Sequence, residues 1–108
     1  QALLRVAQVE SDNATIEEWI AEYHESCPPT ATVEARNTAI ASRSPFDWEG
    51  WFWVQPRQMA AFLWRVDGER TSTAAIRAQL RAHGFTRRTF AHSYGGRATS
   101  ASYWGRRL

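Results

Sequence analysis

The sequence contains no lysine; all thirteen of its permanent cations are arginine. A glycine-rich phosphate loop built around a lysine is therefore excluded. Alongside abundant alanine, this absence fits a GC-rich genome better than a chemical choice, so where the arginines lie is more informative than what they are. Cysteine occurs once, as Cys27, so no internal disulfide can form. Cys27 and His24 have the spacing of half a zinc site, but no second pair completes four ligands, because His83 and His92 stand apart and no other cysteine exists. No apolar run approaches the roughly 20 residues that span a bilayer, and no charged-then-apolar leader is seen, so a reducing cytoplasm and no membrane partner are expected. His92 and Ser93 are neighbours in an extended segment and point to opposite faces, the wrong geometry for a nucleophile and its base. No catalytic residue, metal or cofactor is implied. The chain begins at Gln1 rather than methionine, as a fragment of a longer protein would.

What is present is a division of charge. Residues 1–50 hold three arginines against nine acids, a net of −6, while residues 51–108 hold ten arginines against only Asp67 and Glu69, a net of +8. The formal total of +2 hides this dipole. A basic half of this kind is the electrostatic footprint of a polyanion binder, because neutralising phosphates releases condensed counterions. Duplex DNA is the expected partner. At 108 residues, with 44% hydrophobic and 13% aromatic content, the chain can build one ordinary globular core.

The periodicity predicts a helix over 14–26, opened by a Thr15/Glu18 capping box, with Ile16, Trp19, Ile20, Tyr23 and Cys27 on one stripe and Pro28-Pro29 as its stop. A weaker helix over 32–41 is followed by turns across Ser42 to Gly50. Trp51 to Val54 reads as a short strand, with Trp51 and Trp53 on one face; Trp48, Trp51 and Trp53 could stack on unpaired bases, but core packing is the plainer reading. Pro56 opens a helix over 56–66 with Met59, Phe62, Leu63 and Val66 as its apolar stripe, ended by Asp67-Gly68. Thr71, Ser72 and Thr73 are candidate N-caps for a helix over 73–83, and Gly84 followed by Phe85 marks a Schellman-type stop. Two threonine-, serine- and aromatic-rich runs then flank Gly95-Gly96, a hairpin signal that sets Phe90 opposite Ala101 and Arg88 opposite Tyr103, with Arg97 at the tip.

Helix, strand, helix, helix, strand, turn, strand is the order of a winged helix-turn-helix. The expected fold is thus α+β, a mainly helical winged helix-turn-helix domain over 46–108 with an acidic N-terminal helical extension, 1–45, packed on it. On the wheel of 73–83, Ile76, Leu80 and His83 fall inward while Ala74, Ala78 and Arg81 fall outward, with Arg77 at the border. Small alanines flanked by arginines can approach a groove closely. Arg77, Arg81 and the cap Thr71, Ser72 and Thr73 are expected at the major groove and backbone; Arg87, Arg88 and Arg97 are expected to hold phosphate along the wing.

The run Gly68-Glu69-Arg70-Thr71-Ser72-Thr73, the helix after it, and His83-Gly84-Phe85-Thr86-Arg87-Arg88, closing with Tyr103-Trp104-Gly105-Arg106-Arg107-Leu108, resembles the C-terminal winged-helix domain of phage and plasmid primase-helicases. The resemblance covers about residues 51–108. It implies an origin-binding or DNA-docking module of a DNA replication protein, attached to a replicative ATPase in a longer parent chain. The Trp-rich 46–53 stretch and the acidic first half depart from that pattern, and no ATPase motif is present. Two other readings stay open: a stand-alone transcriptional or excision regulator on the same fold, and a protein-interaction module whose acidic helix recruits a partner or masks the basic half.

Overall fold

In the computed structural model, residues 15–27 and 30–108 are described. The Pro28-Pro29 stop and the residue before Thr15 lie outside them. Local caps set most boundaries. Helix α1 occupies residues 15–25. Thr32 caps α2 (Val33–Ala41) through a hydrogen bond that its Oγ1 accepts from Ala35 N at 3.1 Å. Pro56 sits in the first turn of α3 (Pro56–Asp67), where its missing N–H costs nothing. Ser72 caps α4 (Thr73–Ala82), accepting from Ala75 N at 3.0 Å. That helix ends in a Schellman motif: Phe85 N donates to Leu80 O at 2.9 Å and Gly84 N to Arg81 O at 3.2 Å.

Four strands, β1 (Phe46–Trp48), β2 (Trp51–Val54), β3 (Thr86–Tyr94) and β4 (Arg97–Arg107), form one antiparallel sheet in the order β1-β2-β4-β3. The long hairpin has the expected register, with Phe90 opposite Ala101 and Arg88 opposite Tyr103. One expectation is corrected. Residues Phe46 to Trp48, read as part of a turn region, are an edge strand that pairs with β2 through a two-residue Glu49-Gly50 loop.

The sheet is covered on both faces. On one, Ile16, Ile20 and Tyr23 of α1 join Met59, Phe62 and Leu63 of α3, Ile76 and Leu80 of α4, and Phe52, Val54 and Phe85 in a single buried cluster. On the other, Ile40 of α2 packs on Phe46, Trp53, Phe90 and Tyr103. Each such side chain contributes about 1.5–3 kcal/mol on burial, so three from α1 suffice to fasten that helix to the body. Trp53 is core, 3% exposed, with Trp51 stacked on it at 5.5 Å between centroids. The α3 stripe stops a turn short: Val66 is 52% exposed rather than buried. The molecule is an α+β domain with four helices among the described residues.

Candidate nucleic-acid interface

Strand alternation sorts the basic residues of the hairpin. Arg87 pairs with Trp104 across the ladder and Arg88 with Tyr103, so the two arginines leave the sheet on opposite faces. Arg87 emerges beside the helices, where its Nη2 donates to Ser102 Oγ at 3.3 Å. Ser102 is held in turn by Gln55, whose Nε2 donates to Ser102 O at 3.3 Å. Gln55 is the N-cap residue of α3, so this bond ties the start of α3 to the base of the hairpin.

At that junction lies an open crevice of about 820 Å³ lined by Gln55, Pro56, Arg57, Thr73, Arg77, Arg87, Ser102 and Trp104. Three arginines from three elements line it and no acid does. Arg57, Arg77 and Arg87 are all exposed, and none has an ion-pair partner among the described residues. The first turns of α3 and α4 also border it, through Pro56, Arg57 and Thr73. Neither first turn contains an acid, so the positive ends of both helix dipoles are left uncompensated there. By contrast, α2 has Glu34 in its first turn. Three guanidinium groups and two acid-free helix N-termini make a strongly electropositive cleft, suited chemically to a phosphate diester or another multivalent oxyanion.

The remaining candidates are spread around this crevice. Ser72 spends its hydroxyl on capping α4 and, with Thr71, lines a separate shallow recess beside Trp64 and Arg70. Thr73 enters the crevice itself. Ile76 and Leu80 are fully buried while Ala74, Ala78 and Arg81 are exposed, so α4 offers a small-residue face with Arg81 upon it. Arg97 pairs with Tyr94 at the end of the hairpin and is exposed, on the face away from Arg87. Arg88 is engaged elsewhere: Nη1 lies 3.2 Å from Glu49 Oε2, and the guanidinium sits 4.5 Å over the Phe90 ring.

Two further arginines are likewise occupied. Arg70 stacks on Trp64 at 4.8 Å. Arg106 grips Glu17 with both ends of its fork, Nη1 to Oε2 at 2.8 Å and Nη2 to Oε1 at 2.9 Å, and His83 Nδ1 meets Oε2 at 2.6 Å. The Arg106 hydrogen bonds, helped by His83 and opposed by partial burial, pull the Glu17 carboxyl down to about 2. The half zinc spacing of His24 and Cys27 is put to other use: His24 Nε2 lies 2.9 Å from Asp47 Oδ1, and Cys27 Sγ donates to Pro45 O at 3.1 Å. Burial raises the thiol to about 11.

Arg57, Gln55, Ser102 and Trp104 were not singled out by sequence reasoning. Arg57 had a signal: an arginine in the first turn of a helix opposes the dipole, a local rule broken where nothing local repays it. Comparison with family models, curated proteins and solved structures finds no match to this chain. Among the described residues no helix is long and apolar enough to cross a membrane.

Proposed function

We propose that the chain is a non-catalytic, winged-helix-type domain that binds duplex DNA, with backbone phosphate seated in the crevice and the outer face of α4 turned to the groove. The observation that carries this reading is the convergence of Arg57, Arg77 and Arg87 on two acid-free helix N-termini. The acids of the first half support it by their placement. Glu17 and Glu49 neutralise Arg106 and Arg88, neither of which lines the crevice, and its three arginines have no ion-pair partner among the described residues. The order of α3, α4 and the β3–β4 hairpin is compatible with a winged-helix-like fold, and the resemblance over residues 51–108 supports a role in DNA replication, as the origin-binding or duplex-docking part of a phage or mobile-element primase-helicase.

Salt dependence tests it. With Arg57, Arg77, Arg81 and Arg87 each neutralising one phosphate, log affinity against log salt falls with a slope of about −3.6, at roughly −0.9 per contact. Changing Arg57, Arg77 and Arg87 together to Gln flattens that slope by about 2.7 units. Fluorescence anisotropy of a labelled duplex, titrated at several salt concentrations, reads both values. Affinity that is independent of salt, or a slope that survives the triple change, would overturn the reading.

A further inference from the structure

A second recess, of about 730 Å³, opens where the end of α2 and the loop after it meet the β3–β4 hairpin. Its polar lining comprises Arg43, Gln55, His92, Arg97, Thr99 and Ser100, with no acid. His92 and Thr99 face one another across the ladder and Arg97 lies two residues along from Thr99, so these three share the face of the sheet away from Arg87. Arg43 and Arg97 are exposed and have no ion-pair partner among the described residues.

His92 supplies the observation that points to a ligand. It is 8% exposed, the one buried polar residue among those described, and its Nδ1 is sealed from solvent without any hydrogen-bond partner. The other two histidines of the chain are both committed to carboxylates, His24 to Asp47 and His83 to Glu17. A buried ring nitrogen left unsatisfied beside a polar recess is available to a group bound there once the ring turns toward it. The recess dictates its sign. Two guanidinium groups and the Thr99 hydroxyl donate, and the partial negative charge of about half a unit at the carbonyl end of α2 is outweighed by the arginines.

We propose that this recess is a phosphoryl-binding site, in which Arg43 and Arg97 grip the phosphate oxygens and the His92 ring and the Thr99 hydroxyl complete its hydrogen bonds. It shares Gln55 with the crevice beside α4 but none of its arginines, and does not depend on it. A free phosphate or phosphomonoester and a DNA backbone phosphate offer the same chemistry, and the experiment distinguishes them.

The ring signals of the three histidines are followed by NMR at fixed pH while inorganic phosphate is added to the full chain, against chloride at equal ionic strength. His92 shifts saturably, and His24 and His83, already paired and away from the recess, do not. Arg43→Asn combined with Arg97→Gln raises the phosphate needed by roughly tenfold or more, the loss expected for charge-assisted bonds; Asn is chosen because Arg43 has φ 60°, which Asn tolerates. Arg97→Gln alone, on the exposed hairpin, gives a smaller loss and serves if the double variant does not keep the wild-type His24 and His83 signals. In a second arm a short duplex replaces phosphate. A His92 shift with duplex but not with phosphate, lost on changing Arg43 and Arg97 and kept in Arg77→Gln, supports the site with DNA as the source. No His92 shift in either arm, or a shift indifferent to Arg43 and Arg97, overturns it.

Discussion

Replacing Glu17 with Gln removes the one carboxylate that joins α1 to both the end of α4 and the end of β4. Arg106 and His83 together hold both of its oxygens at 2.6–2.9 Å. The folded carboxyl, at about 2, lies below its ordinary value of 4.5, so its contribution is fully present above pH 4.5 and disappears as pH falls toward 2. A fully sheltered group lowered this far would contribute about 3 kcal/mol. The Glu17 side chain is 45% exposed, and solvent screening reduces that to about 1 kcal/mol. In a domain of this size the loss corresponds to a fall in Tm of about 4–8 °C. Thermal unfolding of wild type and Glu17→Gln, followed by far-UV circular dichroism from pH 7 down to pH 2.5, should show that gap at neutral pH and its closure in acid. Equal Tm values at pH 7, or a gap that persists undiminished at pH 2.5, would refute the clamp.

Other outcomes follow from the same contacts. Gly105→Ala places a methyl group into the indole of Trp53, which lies directly over that position, and should cost about 2–3 kcal/mol in urea unfolding or prevent folding. Ser72→Ala removes the α4 cap and should cost about 1 kcal/mol, whereas Ser72→Gly should cost only a few tenths. Ile20→Ala, in a side chain 2% exposed among α3 and α4, should lower stability by about 2–4 kcal/mol while leaving the salt slope of DNA binding intact; a lost slope in a folded variant would place α1 in the interface.

The parts of the fold that were legible from sequence are those specified by neighbours a few residues apart. The stop of α4 is written in Leu80, Gly84 and Phe85, and the register of β3 with β4 follows from a two-residue glycine loop. Strand β1 escaped notice because it is three residues long and its hairpin turns on Glu49-Gly50, with Glu49 at φ 57° and Gly50 at φ 80°. Both central residues of such a tight loop have positive φ, and the usual cue is Asn or Asp before the glycine; Glu in that place reads as ordinary surface. The basic surface was legible as a quantity and not as an arrangement. Arg87 and Arg88 look equivalent in sequence, yet one lines a cleft and the other is bound to Glu49 and Phe90, because adjacent strand residues face opposite ways. The meeting of Arg57 with Arg77 and Arg87 depends on how α3 leaves the sheet, which no local pattern encodes.

Strand β4 is one of the two inner strands and joins the β1–β2 hairpin to β3. Eleven residues long, it spans about 35 Å, from Arg97 beside the glycine turn to Arg106 and Arg107 at the chain's end. Its far end is exposed, its middle is anchored by the fully buried Tyr103, and its near end is bolted to α1 through Glu17. That is the geometry of a lever with a fulcrum. If a load on the tip moves the Arg106–Glu17 junction, the coupling is reciprocal: loosening α1 then changes the tip by the same free energy.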